Sequence, residues 1–271
     1  MQRQGIQRPV LWLSLPTAVD VVGRLDESAT VYYCGDDFGA LEGVDHAAVL
    51  AMERELADKA QLIVVSHPAL AKKFPSEKIH LLPHGVDFDA FANATRVQTD
   101  AGDAPVAGFV GSIDSRLDIA ALQAAVRRLP DWQFRFYGPI KTDISRLARY
   151  ANVAFPGPLA AQDVAGYIKG WQVALLPYAD SPMVRACNPL KLREYLAAGT
   201  PVAAIDMPAL TEFRDVVEVA APTQLADAIV AAARRNDTAA RQARQSRVAQ
   251  ESWSQRAARV AELLHGLQVT R

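Results

Sequence analysis

Residues 106–137 read VAGFVGSIDSRLDIAALQAAVRRLPDWQFRFY, and this stretch decides the fold class. Val106–Val110 is an apolar run without alternation, the pattern of a strand buried on both faces of a parallel sheet. It ends at Gly111. Apolar residues return with helical spacing over 117–129 and stop at Pro130. Gln133–Tyr137 is a second strand, closed by Gly138-Pro139. A strand, a helix and a strand in that order make a βαβ unit, whose strands lie parallel through a right-handed crossover.

The same rhythm runs outward in both directions. Upstream, strands are predicted at 9–15, 29–33, 62–65 and 79–82, with helices at 17–25, 47–59 and 68–74. The segment 93–105, NATRVQTDAGDAP, is polar and small and reads as an interdomain linker. Downstream come helices at 142–150, 161–169 and 189–198 and strands at 153–155, 173–176, 201–205 and 216–219. Ala/Arg-rich helices fill 222–267. The expectation is α/β, with two Rossmann-like doubly wound parallel sheets in tandem. Ligands in such sheets bind outside the carboxyl ends of the strands.

Composition removes several classes. Of 271 residues 50% are hydrophobic and 22% charged, which excludes disorder as the main state. Two cysteines, Cys34 and Cys187, exclude a disulfide framework and a four-ligand zinc site and suit a reducing cytosol. The five histidines show no metal spacing such as HExxH, so no metal is expected. No apolar run approaches the ~20 residues of a membrane span. The opening MQRQGIQRPVLWLSLP breaks at Pro16, too soon for a signal peptide. A net charge of −1 argues against nucleic acid as a partner. The charge is uneven, −5 over residues 1–95 and +4 over 96–271. The basic half suits an anionic ligand, although seven arginines between Arg234 and Arg259 also read as solvated helix faces.

Four loops carry chemistry-bearing residues. In NPLKLREYLAAGTPV, 188–202, Pro189 suits a first helical position with Asn188 as its cap. Free N–H groups at Leu190 and Lys191 would then form an anion site that fits a diphosphate, and Lys191 adds a point charge. Glu194 shares the Lys191 face and can accept from two ribose hydroxyls. A capped helix with an ordinary Lys/Glu pair is the other reading of these residues. Gly111, Ser112 and Arg116 lie in a strand-to-helix turn whose backbone can approach a phosphate; an ordinary tight turn is the alternative. Asp36 and Asp37 follow a buried strand, where one carboxylate can act as general base or both can cap the turn. His84 and Asp87, in LLPHGVDFDAF, are candidates to face an acceptor cleft, or to be structural.

The chain resembles the bacterial family 4-like (group 1) glycosyltransferases of the two-Rossmann GT-B type, most of all those of exopolysaccharide and teichuronic acid synthesis. The resemblance is carried by VYYCGDDF, LLPHGVDFDAF, VAGFVGSIDSRLD, FRFYGPI, NVAFPGPL, WQVALLPY, NPLKLREYLAAGTPVAA and SWSQRAARVAELL, in that order. It implies a nucleotide-sugar donor, a UDP- or GDP-sugar, on the C-terminal domain and a glycan or lipid-linked acceptor on the N-terminal one. No other cofactor is implied. By the resemblance, Glu194 binds the donor ribose, while Lys191 with Asn188, Pro189 and Leu190 holds the diphosphate. Gly111, Ser112 and Arg116 line the donor cleft, and Gly138 and Pro139 flank the base. Asp36 and Asp37 stand where such enzymes place a catalytic or acceptor-binding group.

The expected layout is an acceptor-side domain over 1–95, a donor domain over 96–251 and a helix over 252–271 that packs back on the first domain. Two features depart from the family pattern. Ala186 stands eight positions before Glu194, where many retaining members carry glutamate. Residues 1–95 are also short for such a domain, so its first strands and a glycine-rich turn are expected to be missing. A cytoplasmic protein is expected, at the inner membrane face if the acceptor is lipid-linked. A non-catalytic nucleotide-sugar binding module or an inactive fragment is the alternative function.

Overall fold

The structure, a computed structural model, describes residues 6–98 and 102–267. The chain divides into two units. One comprises the residues up to His84, Arg185–Asn188 and the stretch from Ser254; the other comprises Gly85–Val184 and Pro189–Trp253. Residues 85–98, including part of the expected linker, go with the second unit; linker residues 99–101 lie outside the described residues.

The first unit holds β1 (Val10–Leu13), β2 (Ala29–Cys34), α1 (His46–Lys59), β3 (Leu62–Val65), α2 (Pro68–Ala71) and β4 (Ile79–Leu81). The strands form one parallel sheet in the order β1-β2-β3-β4. Successive side chains point to opposite faces, and both faces of the central strands β2 and β3 are covered, which is why those two read as largely apolar runs. Tyr32, Cys34, Ile63 and Val65 pack with Leu56 and Leu70 on one side. Val31, Leu62 and Val64 pack on the other against Val260, Leu263 and Leu264. Those last three belong to the final helix of the chain, Trp253–Gly266. β1 is an edge strand, and Val10 and Trp12 on it remain exposed.

The second unit holds α3 (Phe88–Ala92), β5 (Val106–Val110), α4 (Ile119–Arg128), β6 (Gln133–Tyr137), α5 (Ser145–Ala148) and β7 (Val153–Ala154). It continues with α6 (Val164–Gly170), β8 (Val173–Leu176), α7 (Pro182–Arg185), α8 (Leu190–Ala197), β9 (Val202–Ile205), β10 (Glu218–Ala220), α9 (Leu225–Arg234) and α10 (Thr238–Val248). The final helix is α11. The six parallel strands take the order β10-β9-β8-β5-β6-β7. Renumbered from β5, that is the Rossmann order, with the reversal between β5 and β8.

Several predicted elements differ in extent. The helix expected at 17–25 is a 3₁₀ turn, Pro16–Val21, without a side-chain cap; β-branched Val19, Val21 and Val22 disfavour a longer α-helix. The helix expected at 142–150 is only Ser145–Ala148. The helical tail at 222–267 breaks into three, because Asp237 caps α10 and residues 249–252 are not helical. Helices α3 and α7 were not anticipated.

The loops after β5 and β6 meet at Gly111 and Gly138. Gly138 has φ +146, and a Cβ on it would lie 1.9 Å from the Gly111 carbonyl oxygen. Gly138→Ala should therefore force the two loops apart and cost about 1–3 kcal/mol. Gly157→Ala carries a positive φ (+92) but meets nothing within 4 Å, so it should cost less. Urea unfolding of the two variants checks the ranking; equal midpoints would show that the close approach is not what holds Gly138.

Candidate functional site

The second unit builds its site at the strand-order reversal, the place where a Rossmann sheet opens a crevice. Loop 111–118 leaves β5 there and is tied on both sides. Toward β6, Gly111 N donates to Tyr137 O (2.9 Å) and Ile113 N to Pro139 O (2.9 Å). Toward β8, Asp118 N donates to Pro177 O (2.8 Å) and Ala179 N to Arg116 O (2.7 Å). Within the loop, the Arg116 guanidinium forks onto Asp114, with Nε at 2.9 Å and Nη2 at 2.7 Å. Burial pushes the Asp114 carboxyl up, but the Arg116 side chain and backbone N–H outweigh it and hold it below the usual range. Ser112 Oγ is buried without a hydrogen bond of good geometry.

Helix α8 brings its first turn to the same place. The Lys191 stem lies against Gly111, its Cε 3.6 Å from where a Cβ on that glycine would stand. Lys191 Nζ donates to Glu194 Oε2 at 2.9 Å, and both side chains keep some solvent exposure. Tyr195, one residue on, is fully buried; its hydroxyl accepts from Val110 N at 3.3 Å and ties α8 to the end of β5. Gly111, Gly138, Lys191 and Glu194 are thus brought together. The first N–H groups of α8 have no intrahelical acceptor, as at any helix start.

Asn188 is not the cap of α8. Pro189 occupies the N-cap position, with no side-chain cap bond. The Asn188 side-chain amide donates instead to Ser66 O (2.6 Å), and the Asn188 backbone carbonyl oxygen bonds His84 Nδ1 at 2.9 Å. A buried amide must satisfy its own donors, and here the first unit supplies the acceptor. Asp87 caps α3 by accepting from Ala90 N (3.3 Å), a structural role.

In the first unit, Gly35-Asp36-Asp37 follows β2 at its carboxyl end, above a buried charge network absent from the sequence expectations. Asp37 Oδ1 accepts from Lys73 Nζ at 2.8 Å, and the same ammonium lies 2.6 Å from Glu53 Oε2. Glu53 is 2% exposed, and its other oxygen accepts from Tyr32 OH at 2.8 Å. Burial lowers the Lys73 ammonium, but Asp37 and Glu53 more than compensate and raise it. Burial pushes the Cys34 thiol up to about 12 and also raises Tyr32. The one available signal for Glu53 was a carboxylate on the core-facing stripe of a helix, at the position where Leu56 and Ala57 are also buried.

Comparison with known proteins adds the family. Residues 104–235 match the model of the glycosyl transferases group 1 family. Apart from Arg185–Asn188, the match falls within the second unit. Over 231 residues the chain is 29% identical to TuaH of Bacillus subtilis (strain 168), described as a teichuronic acid biosynthesis glycosyltransferase. That match covers 77% of this chain and 58% of TuaH, so the chain spans little more than half the length of this curated relative. Among solved structures, Anabaena Alr3699/HepE in complex with UDP superposes with a TM-score of 0.75 at 16% identity, covering 96% of this chain and 79% of that one. Sucrose-phosphate synthase of Thermosynechococcus elongatus gives 0.73 at 21% identity, covering 95% and 73%. The fold is the GT-B type.

Gly138 and Pro139 lie beside Gly111 through the bonds just described, and Ile140 next to them is 47% exposed. Ala186, at the position where related enzymes are expected to carry a second glutamate, packs in the core of the first unit. Among the described residues no group of His, Cys, Asp or Glu is placed to hold a metal ion.

The network under Asp36 and Asp37 makes two predictions. Lys73→Met strands the buried Glu53 carboxylate and should cost about 3–5 kcal/mol, read as a lowered urea midpoint at pH 7. The raised Cys34 thiol has a sign of its own. Its contribution is fully present below the unfolded value near 9 and is lost as pH rises toward about 12. Stability should therefore fall above pH ~9, by up to ~1.4 kcal/mol per pH unit from this group. Cys34→Ser should flatten that slope; an identical slope in the variant would exclude the thiol as its source.

Proposed function

We propose that the chain transfers a sugar from a nucleoside-diphosphate donor, a UDP- or GDP-sugar, to a glycan or lipid-linked acceptor. The observation that carries the reading is the Lys191–Glu194 pair set against Gly111 at the strand-order reversal of a group 1 glycosyltransferase domain. The donor diphosphate takes the start of α8, where unpaired N–H groups at Leu190 and Lys191 and the positive end of the helix favour an anion. Lys191 then exchanges Glu194 for a phosphate oxygen. The freed carboxylate accepts from two vicinal ribose hydroxyls, as charge-assisted bonds. Gly111 and Ser112 line the donor through backbone and hydroxyl, with Arg116 fixed behind them by Asp114. Pro139 and exposed Ile140 offer an apolar surface to the base.

Cleavage of the bond from the anomeric carbon to the β-phosphate oxygen leaves negative charge on the departing diphosphate. The α8 start and Lys191 stabilise that charge as it develops. A carboxylate after β2 takes the proton of the attacking acceptor hydroxyl. Asp36 and Asp37 are both candidates for this base; Asp37 also pairs with Lys73 beside Glu53, so its replacement would disturb that network as well, and Asp36 is the position at which the base is tested. A role in cell-surface polysaccharide synthesis is supported by the description of TuaH. We place the protein in the cytoplasm, with peripheral membrane attachment where the acceptor is lipid-linked. No helix among the described residues is long and apolar enough to cross a membrane.

Calorimetric titration of UDP and GDP tests the donor half. At least one should bind, and Glu194→Ala should weaken it ~10–100-fold, the worth of charge-assisted hydrogen bonds. Unchanged affinity in that variant removes the ribose role. With an acceptor in hand, Asp36→Asn should slow transfer ~10²–10⁴-fold and leave UDP affinity as it was. Release of UDP from a UDP-sugar, to acceptor or to water, excludes the alternative of a binding module without turnover.

A further inference from the structure

The second unit has another polar cavity, of about 210 Å³. It lies at the amino ends of the strands: its wall includes Trp171, just before β8, and Thr200, just before β9. The Gly111–Lys191 loops stand at the opposite, carboxyl ends. Arg96, Lys169 and Arg241 line the cavity, and among the described residues no carboxylate does. Among the described residues none of these three cations is in a salt bridge.

Each is held in place by other means. Lys169 Nζ donates to Ala92 O at 2.7 Å, which leaves two of its three N–H donors, and Arg96 Nη2 reaches Gly170 O at 3.4 Å. The Arg241 stem packs over Gly199, where an added Cβ would meet its Cγ at 2.5 Å. Basic residues past a helix end often serve its last carbonyls, but here others do so. Gln245 Nε2 donates to Ala197 O (3.1 Å) and Arg244 Nε to Gly199 O (2.9 Å). That leaves Arg241 unspent. Burial, and then the Arg241 charge, draws the Lys169 ammonium below the ordinary lysine value. Like charges held this close are stabilised by an anion between them.

A separate observation points the same way. Trp171 is 3% exposed and lines the cavity, and its Nε1–H is buried with no acceptor among the described residues. Buried donors are nearly always paired, and an unpaired one costs about 1–3 kcal/mol. The volume lies below the ~300–1,000 Å³ of sites for drug-sized ligands, so it suits a compact head group. We propose that this cavity is a binding site for a phosphate group, bound between Lys169, Arg96 and Arg241 and distinct from the donor site. The phosphate is either free or the head group of an anionic lipid. The inference uses none of the residues assigned to the donor and stands apart from that reading.

The test titrates inorganic phosphate into the full chain at low salt, with and without saturating UDP. Phosphate should bind in both cases, and the double variant Lys169→Gln/Arg241→Ala should weaken it at least tenfold. Far-UV circular dichroism and the melting temperature report whether that variant folds. Arg96→Gln, a change at an exposed side chain, should weaken binding in the same sense. A second arm sediments the protein with phosphatidic acid vesicles against phosphatidylcholine vesicles. Sedimentation with phosphatidic acid alone, lost in the double variant, identifies the lipid head group as the source. Binding of inorganic phosphate without sedimentation identifies the free ion. Phosphate binding of equal strength in wild type and both variants, or no binding in either arm, overturns the proposal whatever UDP does.

Discussion

The close approach of two backbones, at Gly111 and Gly138, is the constraint on which the donor-side architecture depends. Parallel strands diverge on either side of a strand-order reversal, and the loops that leave them would otherwise splay into solvent. Here loop 111–118 is hydrogen-bonded to the β6 loop on one flank and to the β8 loop on the other. The first contact is possible only because Gly138 carries no side chain at the point of approach. The result is a wall of fixed backbone against which the Lys191 stem rests. The proposed transfer needs groups that do not reorganise as charge develops, and a wall of fixed backbone suits that requirement.

Two of the ion pairs each hold one partner out of water: Glu53 and Arg193 have side chains 3% exposed, while Lys73 and Glu251 keep 22% and 21%. The Lys73 ammonium joins Asp37 to buried Glu53, and buried Arg193 is paired with Glu251. Separating such partners leaves a charge without water, so these pairs pin the loops they join. Lys191 and Glu194 are neighbours on one turn and retain side-chain exposures of 27% and 12%. A partly solvated pair is worth less and can exchange partners when a ligand brings its own charge and hydroxyls. The difference in burial separates a structural carboxylate, Glu53, from Glu194, the carboxylate in the proposed donor role.

Much of the layout was legible in the residues. The strands among the described residues fall within or beside predicted apolar runs, because the central strands, such as β3, β5, β8 and β9, are buried on both sheet faces and are hydrophobic nearly throughout. Helix extents were harder to read. Short helices such as α3 and α5 gain little from propensity, and packing sets their ends. The Lys191–Glu194 juxtaposition follows from helical spacing alone. The destination of the Asn188 amide does not, since its acceptor, Ser66, lies 122 residues away.

The sequence by itself determined that the chain is α/β with parallel sheets, which loops follow which strands, and that Lys191 and Glu194 share a helix face. These follow from local periodicity and from side chains a few residues apart. Only the tertiary structure decided that Gly111 meets Gly138, that Asp37 is held by Lys73 above a buried Glu53, and that Arg96, Lys169 and Arg241 converge on one cavity. Those groups are distant in the chain, and no local rule specifies which distant residue will satisfy a buried donor or charge once the sheets close.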